Sequence, residues 1–374
     1  GDYAYIIINQ PFSLRDDVVP LPTVYRAGVE ETVAATDVYY FDVPDSSYRF
    51  VTLLAMNTQN DAQDVQKSVY MMGYSENLFV SQNNIYVTHT KTLPQSYYTE
   101  RLVEQVIVPL LPADVANSVR NELKSDKPSY ERLQGVQEIL AVYFNKLGDS
   151  ERAELEKSAQ QRMEQYYEEL ARETQKTIVH KIAVSNGNFE YKSRGEVPGT
   201  VLNQFSMDEH NSNFRIATTI TSDFRSGVTL NNVYVLDPDM KIIGKLENLA
   251  RTERIYSARF INDRLYLVTF KQIDPLFVID LSDPTSPKVL GELKIPGVSQ
   301  YLHPYDENHI IGVGKDAIAI DEQGREFALF QGVKISLFDV SDVANPKEKS
   351  SYNIGNRGTE SEVLHDHKAF LFSK

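Results

Sequence analysis

The side chains with the most chemical potential in this 374-residue sequence are carboxylates and imidazoles gathered in a few short runs. Asp280 and Asp283 lie in DLSDPTSPK, which returns as DVSDVANPK with Asp339 and Asp342, 59 positions later. Asp237 and Asp239 sit in a shorter version of the same segment. Clustered carboxylates are calcium chemistry, but a calcium loop alternates its ligands as in D-x-D-x-D-G, and none of these runs does. Asp and Ser also close turns by hydrogen-bonding their own backbone, which is the expected role here. His365-Asp366-His367 places two imidazoles at i and i+2, on one side of a strand, with His303 in the equivalent region one unit earlier. A metal there would need a further ligand from elsewhere. Asp280, Asp283, His365 and His367 are therefore weak metal candidates, calcium is the weak cofactor alternative, and no cofactor is expected.

Asp208-Glu209-His210 looks like acid–base material, yet it falls at a turn between two strands, where solvation is the expected role. A Ser-His-Asp triad is allowed by composition, but no G-x-S-x-G elbow is present. Gly312-Val313-Gly314-Lys315 lacks the spacing of a phosphate loop. Arg254 and Arg259 could line a central channel or form an internal salt bridge. The absence of cysteine removes disulfides, thiolate metal sites and cysteine nucleophiles. No catalytic residue is assigned.

The elements that must position these residues come from a repeat. DPLFVIDLSDPTSPKVLGELKI (274–295) is a strand, an acidic turn and a strand, and VKISLFDVSDVANPKEKSSYNI (333–354) is its second copy. Strand-only repetition at tens of residues means a propeller or a solenoid. Adding the strand pairs that precede each copy, such as ARFINDRLYLV, gives four strands, A to D, in units of roughly 40–50 residues, the size of a propeller blade. The units span 2–56, 68–90 with 177–197, 202–246, 257–295, 299–354 and 361–374, the first lacking strand A and the last holding only A and B. In the first, 37–56 reads as strands C and D around Asp42 and Pro44-Asp45. Antiparallel strands send every B-to-C connection to one face, so 10–36, the stretch 99–176 and 315–330 should decorate that face and the Asp-Pro turns the other.

Residues 99–176 have the period of helices. Tyr130, Leu133, Val136, Ile139, Leu140, Tyr143, Phe144 and Leu147 recur at spacings of three and four. Pro112 and Pro128 suit first helical turns, Gly148 a helix end, and Asp149-Ser150 the next cap. The domain reading is 1–98 for the first part of the propeller, 99–176 for an α-helical insertion in blade 2, and 177–374 for the remainder. Tyr97, Tyr98, Tyr166 and Tyr167 in and beside the insertion are partner-binding candidates if exposed, since tyrosine favours interfaces; the plainer reading packs them between the helices and the propeller rim.

A net charge of −14 disfavours nucleic acid and anionic lipid as partners. No apolar run reaches the length of a membrane span. The chain opens Gly1-Asp2 without Met, which reads as a processed piece with sequence expected beyond both ends.

LNQFSMDEHNSNFRIATT (202–219), DPLFVIDLSDPTSPKVLGELKIPGVSQYLHPYDENHIIGVGKD (274–316) and DHKAFLFSK (366–374) resemble the archaeal and bacterial family of secreted proteins with a C-terminal β-propeller domain distantly related to WD repeats. The resemblance implies a propeller on an exported, often membrane-anchored protein, and no reaction. The expectation is an all-β propeller with an α-helical insertion, five to six blades being visible. Its expected role is a non-catalytic binding or scaffold module at the cell surface, engaging a protein or glycan through the face that carries the insertions. The rivals are an extracellular hydrolase or lyase with its site at the channel mouth, and a structural component of the cell envelope.

Overall fold

In the computed structural model, residues 2–373 are described except for 13–17, 27–28, 42–47, 61, 74, 92–94, 222–227, 271–273 and 323–324. Among the described residues, the strands form five four-stranded sheets and one two-stranded hairpin.

Blade 1 holds β1 (Tyr3–Pro11), the hairpin β2 (Thr23–Arg26) and β3 (Val29–Thr32), β4 (Val38–Tyr40), β5 (Tyr48–Asn57) and β6 (Gln66–Gly73). Blade 2 holds β7 (Ser75–Val80), β8 (Asn84–Lys91), β9 (Lys176–Ser185) and β10 (Asn188–Pro198). Blade 3 is β11 (Met207–His210), β12 (Asn213–Thr221), β13 (Thr229–Leu236) and β14 (Ile242–Leu249). Blade 4 is β15 (Arg254–Ile261), β16 (Arg264–Phe270), β17 (Asp274–Asp280) and β18 (Lys288–Ile295). Blade 5 is β19 (Val298–Pro304), β20 (His309–Glu322), β21 (Arg325–Asp339) and β22 (Lys347–Ile354). Blades 2 to 5 are meanders whose sequential neighbours pair antiparallel.

Blades stack face to face, and this explains their sequence pattern. A central strand is covered on both sides, so it reads as a continuous apolar run rather than an alternation. Every residue of β13 is buried. Val233 and Val235 pack with Leu265, Leu267 and Ile279 of blade 4, while Tyr234 and Leu236 turn back to Tyr86, Val179 and Val197 of blade 2. Similar cores join blades 1 and 2 around Val51, Tyr70, Ile85 and Ile182, and blades 4 and 5 around Val268, Leu276, Leu302 and Phe338.

Blade 1 departs from the sequence reading. Residues 37–56 are not a hairpin: β4 pairs parallel with β6 at the sheet edge, and β5 lies between β1 and β6. Asp42, Pro44 and Asp45 lie outside the described residues. The run 68–90 holds parts of three strands, and the first, β6, completes blade 1. The pattern misled because Gly73 and Ser75 join β6 to β7 across a single residue, leaving no polar loop to mark the boundary. Residues 361–373 carry two short 3₁₀ turns, Glu362–Leu364 and His367–Ala369, and no strand. An alternating run becomes a strand only when a neighbour supplies the ladder, and no described strand pairs with this one. The 315–330 connection is itself a ribbon, with Ala317 to Glu322 paired to Phe330 to Arg325.

Between β8 and β9, which pair side by side, the chain makes four α-helices. α1 (Gln95–Leu102) runs on through a π segment (Val103–Ile107) and a 3₁₀ turn, followed by α2 (Ala113–Leu123), α3 (Ser129–Phe144) and α4 (Asp149–Thr174). Pro112 and Pro128 are N-cap residues of α2 and α3, one position before the first turn. Gly148 is the N-cap of α4 rather than the end of α3, because Glu151 reaches back to accept from its N–H at 3.0 Å. α4 docks on blade 3 through Ala171 against Ile220 and Leu230, and through a Glu168–Arg251 ion pair.

Candidate functional site

The acidic turns close on themselves. Asp280 Oδ1 accepts from the Ser282 N–H at 3.0 Å, and Asp339 Oδ1 does the same for Ser341 at 3.0 Å. Asp283 takes the Thr285 N–H at 2.9 Å and Asp342 the Ala344 N–H at 3.1 Å. Asp237 accepts from Lys241 N–H at 2.9 Å. Hydrogen bonds from Thr285, Ser341 and Asn345 hold Asp283, Asp339 and Asp342 below the usual carboxylate range. At Asp280 burial acts the other way, and bonds from Ser282 with the Lys288 charge outweigh it. These oxygens are occupied by backbone amides rather than turned toward a common cation.

Each turn also seats on the blade before it. A Cβ on Gly244 of β14 would lie 2.1 Å from the Pro284 carbonyl oxygen, and one on Gly291 of β18 would lie 2.3 Å from that of Val343. Gly195 of β10 stands in the same relation to Met240, at 2.5 Å. Three times over, an outer strand carries glycine where the next blade's turn presses its backbone.

Asp208-Glu209-His210 is spent on the same task. The Arg215 guanidinium, buried in the adjacent strand, forms an ion pair with Asp208 and donates to the Asn262 carbonyl at 2.7 Å. Glu209 accepts from Ser81 at 2.5 Å and from Asn84 at 3.0 and 3.1 Å, tying blade 3 to blade 2. His210 Nε2 meets Asp263 of blade 4 at 3.0 Å. One triplet thus bridges three blades. Gly312 and Gly314 are likewise structural: a Cβ on Gly314 would lie 1.7 Å from the Val298 carbonyl oxygen, and Lys315 pairs with Glu360.

Between blades 1 and 2 lies a buried imidazole. His180 stacks at 5.2 Å from the His89 ring and 4.3 Å from Phe41, with Tyr191 Oη 3.2 Å from Nδ1. Burial pushes its pKa down to about 3.

The innermost strands frame a cleft of about 400 Å³ on the propeller axis. Asn203, Gln204 and Phe205 approach from blade 3, Gln300 and Tyr301 from blade 5, and His365 and His367 from the segment after it. The two imidazoles do not share one side of a strand. His365 Nε2 faces Glu360 at 3.6 Å, whereas His367 Nε2 lies 3.1 Å from Gln204 Nε2, its ring edge-on to Phe205. No group of three or more His, Asp or Glu placed to hold a metal occurs among the described residues. His303 Nδ1 sits 3.0 Å from Tyr301 Oη. Arg259 borders the cleft with its guanidinium 4.6 Å over the Phe205 ring. Burial raises the Tyr301 pKa, the Arg259 charge opposing it, while burial and the same charge together lower that of His303. Arg254 is exposed at the start of β15.

A family model described as a beta propeller domain matches residues 1–374, the whole chain. The chain belongs to the beta propeller domain family. A relative from Archaeoglobus fulgidus is 35% identical over 373 residues, covering 98% of this chain and 54% of its own length. Another, from Methanocaldococcus jannaschii, is 38% identical over 313 residues, covering 83% of this chain and 47% of its own. Both are described as uncharacterised proteins. The chain spans about half the length of the curated relatives it matches.

The other face of this propeller domain carries the connections between second and third strands of blades 2 and 5, the helices and the β20–β21 ribbon. The 10–36 segment does not join them as expected: it links β1 to β4, which run parallel, so it crosses the sheet, and Glu31 of β3 pairs with Lys67 at the start of β6, the end of the strand away from that face. Its tyrosines divide in a way the sequence did not show. The Tyr97 side chain lies outside the described residues. Tyr166 is buried, donates to the Tyr98 carbonyl at 2.9 Å and packs with Val106 and Leu170; Tyr98 and Tyr167 are partly buried against the same cluster. These three hold the insertion together and are not an exposed patch. Tyr130 is the open one, at 69% exposure, and Val142 and Ile318 are exposed on the same connections. Tyr25 and Val29 are exposed on the separate β2–β3 hairpin. The helices also enclose an apolar hollow of about 430 Å³, walled by Ile107, Leu110, Leu111, Phe144 and Leu155 with Arg152 at its rim. None of the described helices is long and apolar enough to cross a membrane.

Proposed function

We propose that this propeller domain is a non-catalytic binding module of an exported, cell-surface protein, engaging a protein partner through the face that carries its insertions. The observation behind it is the exposed apolar side chains on those insertions: Tyr130 and Val142 on α3 and Ile318 on the ribbon. Exposed apolar clusters on a polar surface mark interaction sites, and loops on a rigid frame are where binding residues collect. The carboxylates an acid–base mechanism would call on are occupied elsewhere, Asp208 by Arg215 and Glu209 by Ser81 and Asn84. Export and the distant kinship to WD repeats rest on the sequence resemblance.

A photo-crosslinking amino acid at Tyr130, at Val142 and, as a control, at Thr285 on the opposite face tests this reading in host cells. Discrete adducts from Tyr130 and Val142 but not from Thr285 are expected. Equal labelling from both faces, or labelling from Thr285 alone, overturns it.

A further inference from the structure

Two groups at the axial cleft have unused hydrogen-bonding capacity of opposite kinds. Among the described residues Arg259 meets no carboxylate at ion-pair distance; its contact is the Phe205 ring, 4.6 Å away. Five other arginines, Arg101, Arg120, Arg132, Arg215 and Arg251, do pair with an acid. Asp208, the nearest acid to influence it, is already held by Arg215. Stacking on an aromatic face satisfies the flat faces of a guanidinium and leaves its planar donor fork unspent, and that fork matches a carboxylate. Across the cleft, Gln300 Oε1 is buried with no hydrogen-bond donor among the described residues. A buried amide oxygen without a donor is costly, and a hydroxyl is the simplest group to supply one.

Between these two, the cleft offers aromatic walls in Phe205 and Tyr301 and neutral amides in Asn203 and Gln204. Its volume of about 400 Å³ falls in the range of small-molecule sites. The combination is one carboxylate-seeking fork, one hydroxyl-seeking acceptor, apolar ring faces and several amides.

We propose that the axial cleft binds the ring of an acidic sugar, a uronate, with its carboxylate toward Arg259 and a ring hydroxyl donating to Gln300. Phosphate fits less well, since a dianion calls for a second cation. The imidazoles that line the cleft are already engaged, His365 with Glu360 and His367 with Gln204, and burial together with the Arg259 charge lowers the pKa of His303 beside it. This site is separate from the insertion face, so it stands or falls independently of the protein-partner reading.

Titration calorimetry of the protein with glucuronate, glucose, acetate and inorganic phosphate tests it. Glucuronate should bind at least about tenfold more tightly than the other three, the span a charge-assisted fork provides. Arg259→Ala should bring glucuronate down to the level of glucose and leave glucose unchanged. Gln300→Leu should weaken both sugars. Arg259→Lys, which keeps the charge and loses the fork, should fall between, and it carries the test with Gln300→Leu if thermal melts show that Arg259→Ala does not fold. No glucuronate binding, equal binding by Arg259→Ala and the parent, or acetate or phosphate equalling glucuronate would each overturn the proposal. Crosslinking from Tyr130 and Val142 should be unchanged in all three variants.

Discussion

The two faces of this propeller treat polar groups in opposite ways. On the turn face, Asp, Glu, Arg and His side chains are drawn into contacts between blades: Asp208 with Arg215, Glu209 with Ser81 and Asn84, His210 with Asp263. On the insertion face, side chains such as Tyr130 and Val142 stand in solvent on segments that the sheets do not need. Short turns that touch the next blade are committed to stability. Long connections that leave the sheet are released from it and can carry recognition.

The sharpest way to break that contrast is at Arg215. Arg215→Met strands the Asp208 charge and frees the Asn262 carbonyl, and removing one partner of a buried pair costs about 3–5 kcal/mol. A denaturant-unfolding shift below about 1 kcal/mol would mean that the turn face is not the stabilising one. Next comes Gly291→Ala, whose new Cβ would meet the Val343 carbonyl; overpacking of this kind costs about 1–3 kcal/mol. If that variant melts with the parent, the turn does not bear on the glycine.

His180 sharpens the comparison through pH. Its folded pKa lies below that of the unfolded chain, so the unfolded state takes up the proton first as pH falls. Its share of stability is complete above about pH 6.5 and drains away between there and about pH 3. His180→Phe should flatten the melting temperature over that window, and an unchanged slope would assign the pH dependence to other groups. A smaller acid effect belongs to the turns. Asp339 and Asp342 have lowered folded pKa values, so their contribution is present above about pH 4 and is lost as pH drops through those values. Asp339→Asn should remove part of that loss in melts recorded below pH 4. Smallest of all, Tyr130→Ser with Val142→Ser should move stability by no more than about 0.5 kcal/mol each while abolishing capture of the partner. A large destabilisation would make these side chains structural after all.

Much of the fold was legible because its signals are local. The acidic turn repeats within 59 residues, and Asp280 and Asp339 make the same bond to a serine two residues on. The change of period at 99–176 announced helices that the structure places between β8 and β9. Blade 1 was not legible, because the step from Gly73 to Ser75 has no turn residues to mark it and β4 pairs parallel with a strand far along the chain. Which tyrosines stand in solvent was not legible for a related reason. Tyr166 and Tyr130 both sit on helices, and only packing shows that one is at 4% exposure and the other at 69%.

What the sequence determined by itself was the repeat, the strand order within blades 3 to 5 and the shared face of the 99–176 and 315–330 connections, though not the course of 10–36. These follow from hydrogen-bonding and steric preferences within a few residues, together with the alternation that antiparallel strands impose. What only the tertiary structure decided was who meets whom across blades: Glu209 with Ser81, 128 residues apart, the Pro284 turn against Gly244, and Arg259 over Phe205. Those contacts depend on how far one sheet is rotated against the next. That angle is set by the summed packing of two whole blades, and no spacing along the chain records it.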